Sequence, residues 1–237
     1  MRDQILSCTG IHKIFDAPIV PSSLLQDYVL RRRMHRPRKR IFALNDISLA
    51  LGRGEWIGLY GPNGSGKTTL LQILAGLLPA EKGTVVAHGD VTGIFELGTG
   101  FHPEWNAEEN IRFHGLLHGC HPADVEKSRE AIIAFAGIAS HRKLPLKCYS
   151  QGMKARLAFA ALAHIDADVY LLDEVFAVGD AAFRQQCWEC IRRMRKEGKS
   201  GILVSHGIQD LERQCDRILF LEQGRLIQEQ PVVALVA

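Results

Sequence analysis

The stretch Trp56-Ile57-Gly58-Leu59-Tyr60-Gly61-Pro62-Asn63-Gly64-Ser65-Gly66-Lys67-Thr68-Thr69-Leu70-Leu71-Gln72-Ile73-Leu74 decides the fold. Its centre, Gly61 to Thr68, has the spacing G-x-x-x-x-G-K-[ST] of a phosphate-binding loop. An apolar run leads in and another leads out. The loop therefore joins a buried strand, Trp56 to Tyr60, to a helix over Leu70 to Leu78 that Pro79 stops. The glycines let successive backbone N–H groups turn toward one point, and the helix N-terminus adds partial positive charge there. Gly61, Pro62, Asn63, Gly64, Ser65, Gly66, Lys67, Thr68 and Thr69 are expected to cradle the phosphates of a nucleotide. Lys67 should reach the β- and γ-phosphates, and the Thr68 hydroxyl should ligate Mg2+. The loop by itself leaves kinases, GTPases and ATPases open.

Outward from the loop, the late apolar runs Val169 to Leu172 and Gly201 to Val204 read as buried strands. They alternate with helical stretches, Glu109 to Gly137 and Met153 to His164. That alternation predicts an α/β fold with a mostly parallel sheet and helices on both faces. Open sheets of this kind bind ligands at the carboxyl ends of their strands. Asp173 and Glu174 end the first run. Asp173 is placed to hold Mg2+ through its water shell, and Glu174 to polarise a water for in-line attack. His206, just past the second run, is placed to sense the γ-phosphate. Nearer the start, Ile11 to Phe15 and Ile41 to Leu51 read as strands, separated by an insert from Asp16 to Arg40 with prolines at 18, 21 and 37. Ile218 to Leu221 and Leu226-Ile227 read as a late hairpin.

The chain has 237 residues, 46% hydrophobic and 23% charged, which fits one large domain or one domain with a small insertion and excludes a disordered tail, a fibre or a solenoid. No apolar run is long enough to cross a membrane, and no apolar signal core follows Met1, so secretion is not expected. The cysteines at 8, 120, 148, 187, 190 and 215 form no paired pattern and read as reduced thiols of a cytosolic chain. Cys187 and Cys190 have no second pair or suitable histidine and read as structural. His102 precedes Pro103 and reads as part of a rigid turn. Residues 31–40 hold seven of the 29 basic residues and no acid, leaving 22 bases against 26 acids elsewhere. One basic patch on a mildly acidic body argues against a nucleic-acid binder. The patch is either a contact for anionic lipid headgroups or a solvated loop.

At Tyr149-Ser150-Gln151-Gly152-Met153 the chain resembles a known family. The segment is similar to the signature motif of ABC-type ATPases. Ser150 and Gly152 of the common form LSGGQ are kept; its Leu, first Gly and final Gln are replaced. Val178-Gly179-Asp180 resembles the family's D-loop, Ser205-His206 its switch histidine, and Phe15 its adenine-stacking aromatic. The resemblance implies a single P-loop NTPase domain of ABC type over residues 1–237. Such a domain has N-terminal antiparallel strands and a helical subdomain inserted at about 101–160; here a basic insert at 16–40 is added.

Three features resemble the branch that exports bacterial surface polysaccharides such as O-antigen and capsule. They are the insert after Phe15, the Tyr-Ser-x-Gly-Met signature, and Glu96-Leu97-Gly98-Thr99-Gly100-Phe101-His102-Pro103-Glu104 in place of a glutamine-bearing Q-loop. Glu96 stands in for that glutamine near the metal, although a gapless alignment puts Leu97 there. By the same resemblance, two chains sandwich two ATP molecules, the P-loop of one facing Ser150 and Gly152 of the other, and Asp180 of the D-loop is a further nucleotide-binding residue. The helical subdomain contacts a separate membrane permease, and the chain is peripheral on the cytoplasmic face of the inner membrane. Two rivals fit less well. ABC ATPases of translation or DNA maintenance usually carry tandem units or a long coiled coil, and a small-molecule kinase leaves the signature segment unexplained. The motifs and their scaffold run from Phe15 to about Leu226, leaving no room for a sugar-binding sandwich of about 100 residues. Selection of the glycan is therefore expected in the permease or in the lipid carrier.

Overall fold

The computed structural model describes residues 3–18, 38–95, 100–174 and 180–232. Strand β1 (Gln4–Pro18) pairs antiparallel with β2 (Arg38–Gly52), which leads into β3 (Trp56–Tyr60). Helix α1 (Lys67–Leu74) follows the phosphate loop, and β4 (Lys82–Ala87) and β5 (Val91–Ile94) come next. A helical region holds α2 (Ala107–Leu117), α3 (Pro122–Ala136) and α4 (Gln151–Leu162). The chain then alternates through β6 (Val169–Asp173), α5 (Ala181–Lys196), β7 (Ser200–Val204) and α6 (Ile208–Gln214) before the hairpin of β8 (Arg217–Glu222) and β9 (Arg225–Pro231).

The strands form two sheets, a three-stranded one in the order β2-β1-β4 and a six-stranded one in the order β5-β6-β7-β3-β8-β9. The larger sheet is parallel except for β9, which returns antiparallel on β8. Its central strands are apolar throughout because both faces are covered. Alternate residues serve different cores. Ile57, Leu59, Val169, Leu171, Ile202 and Val204 pack with α1 and the smaller sheet. Trp56, Tyr170, Leu172 and Leu203 pack instead with Phe183, Ile191 and Met194 of α5 and Leu211 of α6. The helical region has a third core of its own, among them Ile111, Ile132, Ile133, Tyr149 and Leu157. Helix α4 belongs to two of these cores, through Leu157 on one side and Phe159 on the other.

Several boundaries differ from the sequence reading. The insert expected at 16–40 has strand at both ends: Asp16 pairs with Arg40, Ala17 with Lys39 and Pro18 with Arg38. Once Phe15 faces Ile41, continuing the ladder needs only residues that tolerate extended backbone, and Pro18 is acceptable at a strand end. The single helix expected over 109–137 is two, because Gly119 takes φ +74° and His121 caps a new helix that has Pro122 in its first turn. The first helix starts at Lys67 and stops by Leu74, since Gly76 at φ +72° turns the chain before Pro79 is reached. Helix α4 begins at Gln151 rather than near Met153, because the Ser150 hydroxyl accepts the Met153 N–H at 3.2 Å and caps it.

One irregularity in the β1–β2 ladder bears on the site. Lys13 faces Leu44 and the next residue, Ile14, faces Phe42, so Ala43 is an extra residue in β2. Such a bulge re-aims the backbone. The Ala43 carbonyl lies where a Cβ on Gly66 or on Gly224 would come within 2.6 Å of it. The turn at Gly224 is bonded on both sides. Its N–H donates to the Ser65 carbonyl at 3.0 Å, and its carbonyl accepts from the Asn45 N–H at 2.8 Å. The phosphate loop is thus wedged between β2 and the β8–β9 turn.

Candidate functional site

The site forms where three neighbouring strands end. Leu59 of β3 pairs with Val204 of β7, and Val204 pairs with Asp173 of β6, so the three lie in one row across the sheet. Just beyond that row come the loop at Gly61, the acids at 173 and 174, and His206. At a strand spacing of about 4.8 Å, Asp173 lies roughly 10 Å from β3 in the sheet plane. The start of α1 spans that gap: the Thr68 Oγ1 donates to Asp173 Oδ2 at 2.5 Å.

Two glycines make the loop possible. A Cβ on Gly61 would meet the Leu221 carbonyl oxygen at 2.1 Å, and Gly66 has φ +108° besides its contact with Ala43. Helix α1 has no side-chain cap and no acid in its first turn. Its first N–H groups are therefore left for an anion to satisfy. Lys67 is buried, and its Nζ donates to the carbonyls of Gly61 at 2.8 Å and Pro62 at 3.1 Å, so it lies folded back over the loop.

Among the described residues, two buried oxygens at the site lack any hydrogen-bond partner, Ser65 Oγ and Asp173 Oδ1. Such orphans are costly unless a ligand or ion completes them. Burial raises the Asp173 carboxyl above its ordinary value, and the Thr68 hydroxyl pulls the other way. A hydroxyl and a carboxylate held together suit a hard divalent cation such as Mg2+. Glu174, next in the chain, has φ +50°, and its N–H donates to the Val204 carbonyl at 3.2 Å. Its Oε1 lies 2.9 Å from His206 Nε2.

The remaining candidates lie apart. Ser150 and Asp180 cap α4 and α5, Asp180 by accepting the Phe183 N–H at 2.8 Å. Arg156 of α4 reaches Asp180 at 3.8 Å, which links these two helix starts. No hydrogen bond of either residue reaches the phosphate loop within this chain, and Gly152 sits in the first turn of α4. Phe15 is 38% exposed on β1. Glu96, Leu97, Val178, Gly179 and the basic run as far as Pro37 lie outside the described residues. His102 is part of a rigid turn: its ring stacks on Trp105 at 4.6 Å. Fully buried Asn110 accepts the His102 N–H at 2.6 Å and donates to the carbonyls of His102, Trp105 and Asn106. Sequence reading missed that clamp, although Asn106 and Glu109 already spell the capping box that starts α2. Cys187 and Cys190 are buried in the α5 core, and among the described residues no group of three or more His, Cys, Asp or Glu side chains is placed to hold a metal ion.

Comparison with known proteins gives concordant likenesses. Residues 44–177 match the ABC transporter family. The O-antigen export system ATP-binding protein RfbB of Klebsiella pneumoniae is 39% identical over 188 residues, which are 79% of this chain and 76% of that protein. The ABC transporter protein AbcA of Aeromonas salmonicida is 37% identical over 235 residues, 98% of this chain and 74% of its own. The teichoic acids export ATP-binding protein TagH of Lactiplantibacillus plantarum is 40% identical over 191 residues, 80% of this chain and 52% of its own. Among solved structures, the ATP-binding cassette MJ0796, a dimer bound to ADP and Pi, superposes with a TM-score of 0.78 at 17% identity, covering 97% of this chain and 100% of that one.

Proposed function

The chain belongs to the ABC transporter family, and from that premise we propose that it is the ATP-hydrolysing subunit of an exporter of a bacterial surface polysaccharide, working through a separate permease. One observation carries the chemistry: the strand ends bring Lys67, Thr68, Asp173, Glu174 and His206 to one place. The polysaccharide reading draws on the names of the relatives, which export O-antigen and teichoic acids.

In this reading the first-turn N–H groups of α1 and the loop backbone take the phosphates of ATP. Lys67 exchanges its two carbonyl partners for phosphate oxygens. Thr68 and Asp173 would hold Mg2+, which would offset the negative charge of the phosphates. Ser65 Oγ gains the partner it lacks. Glu174 accepts the proton of the attacking water, and His206 orients that carboxylate through its ring nitrogen. Phe15 stacks on the base; Glu96, read as the stand-in for the Q-loop glutamine, lies outside the described residues.

Ser150, Gly152 and Asp180 serve the nucleotide of a second copy of the chain. Helix starts point N–H groups and partial positive charge outward, which suits a partner's γ-phosphate. The described residues hold no helix long and apolar enough to cross a membrane. The chain acts as a peripheral subunit on the cytoplasmic face of the inner membrane, its helical region against the permease. The basic stretch 31–40, of which Lys39 and Arg40 are exposed strand residues, adds contact with anionic lipid. The test is twofold: purified chain should hydrolyse ATP, and it should co-purify from membranes with a multispan protein. A chain that turns over no ATP and never sediments with a multispan protein would refute the assignment.

A further inference from the structure

Lys13 is a buried cation for which the phosphate chemistry has no use. It is 7% exposed and lies on β1, two residues before Phe15 and so on the same strand face. Its Nζ donates to the Pro79 carbonyl at 2.8 Å and to Glu81 Oε1 at 3.0 Å. Glu81 is itself fixed: its Oε2 accepts the Ile14 N–H at 3.0 Å, and its own N–H donates to the His12 carbonyl at 3.0 Å. The same ammonium lies over the Phe15 ring, 5.3 Å from its centre, within the range of a cation–π contact. Packing alone does not require a charge here, since an apolar side chain of similar length fills the same space without desolvating an ammonium.

Two consequences follow for the ring. Its position is set from one side by a group that cannot swing away, because the Pro79 carbonyl and the Glu81 carboxylate hold it. Its π density is also drawn toward the ammonium, which leaves the opposite face less repulsive to another π system. The anchors matter as well. Pro79 and Glu81 follow α1, whose first turn is the phosphate site. The line from α1 through Glu81 and Lys13 to Phe15 therefore ties the phosphate end of a nucleotide site to its base end.

We propose that Lys13 is a positioning residue for the nucleotide base, holding Phe15 so that one defined face of its ring receives adenine. This rests on the reading of Phe15 as the base-stacking aromatic. Replacing Lys13 by Met should raise KM for ATP about fivefold, the size of a moderate cation–π contact, with kcat unchanged. Inhibition by ADP should weaken by the same factor, whereas inhibition by pyrophosphate, which has no base, should not change. Lys13→Arg keeps a cation at the ring and should restore most of the affinity. In a Phe15→Ala background, Lys13→Met should add nothing.

The outcomes separate the two claims. If Phe15→Ala leaves KM for ATP unchanged, the base does not stack there, and the reading of Phe15 falls together with the role of Lys13. If Phe15→Ala raises KM and Lys13→Met does not, the role of Lys13 alone is overturned. Equal weakening of ADP and pyrophosphate by Lys13→Met also overturns it, because Lys13 then acts on the whole site through Pro79. Should Lys13→Met not fold, Glu81→Gln carries the test, since it keeps the shape of the anchor and removes its charge. A loss of about twofold confined to ADP supports the proposal; an equal loss for pyrophosphate, or no loss for either, refutes it.

Discussion

Glu174 combines a chemical role with an awkward backbone, and two substitutions separate them. Its φ of +50° is left-handed. A residue with a Cβ is less stable there than glycine by about 1 kcal/mol, even allowing for the greater chain entropy of glycine. Its side chain contributes one contact with His206 at 2.9 Å, with the two groups 34% and 52% exposed. A pair that open to water is worth about 0–0.5 kcal/mol. Glu174→Gln keeps the backbone conformation and an oxygen facing His206, so its stability should match the parent. Glu174→Gly loses the weak contact and relieves the backbone, for a net gain of about 0.5–1 kcal/mol. In a chain of this size that is an upward shift of roughly 2 °C. Both variants lack the carboxylate, and phosphate release should fall by about 10²–10⁴ in each. Thermal unfolding without nucleotide, followed by phosphate release at saturating ATP, measures both effects. A Gly variant that melts below the Gln variant would show that the backbone at 174 is not strained. Phosphate release within tenfold of the parent in Glu174→Gln would remove Glu174 as the base. The same Gln variant should form a dimer in ATP that separates in ADP; a monomer in ATP by light scattering would count against the shared-site arrangement.

Replacing Lys67 by Ala should lower turnover by about 10²–10³, and near-normal hydrolysis would show that the loop is not the phosphate site. Ser150→Arg should damage the site of the partner copy, so mixing it with Lys67→Ala chains should restore nucleotide trapping at one composite site; no trapping in any mixture would refute sharing. Burial, and then its neighbour His118, lower the His114 imidazole from 6.5 to about 4. The unfolded chain therefore binds the extra proton first, so stability present above pH 6.5 should decline as pH falls toward 4. The loss is at most about 3 kcal/mol, and denaturant midpoints for His114→Phe should show a flatter slope in that window. Among the cysteines, exposed Cys148 should react quickly with a thiol reagent. Cys8 and Cys215 should react only on unfolding, since burial raises their thiols to about 11 and about 12; fast labelling of either would contradict the packing.

The phosphate-loop pattern stood out in the sequence because phosphate binding demands fixed residue types at fixed spacing. Gly61 and Gly66 are constrained by backbone atoms of Leu221 and Ala43, and the strand Trp56–Tyr60 was read without error. Strands β6 and β7 were legible for a different reason: buried on both faces, they are apolar runs that give way to polar residues at Asp173 and at Ser205. Strands β4 and β5 were not read. β4 is almost wholly exposed, so Lys82 to Ala87 shows no alternation. The break between α2 and α3 was written in Gly119 and Pro122, but the apolar periodicity on either side outweighed it. The role given to Lys13 had no local signal at all. It depends on Pro79 and Glu81, whose approach to β1 is set by how α1 leaves the phosphate loop.

The bulge at Ala43 divides the N-terminal ribbon into a part that tolerates changes of length and a part that does not. Residues added or removed between Pro18 and Arg38 leave every pair below them in place, because the ladder is closed from Phe15 and Ile41 inward. One residue added between Ile41 and Leu44 has the opposite effect. A shift by one turns each side chain of the strand to the other face, and here it also swings the Ala43 carbonyl away from Gly66 and Gly224. For protein engineering, the ribbon therefore offers a socket with a marked seam. A foreign loop joined at 18 and 38 should leave nucleotide turnover as it was, whereas the same loop joined three or four residues deeper should dismantle the phosphate site without touching one of its residues.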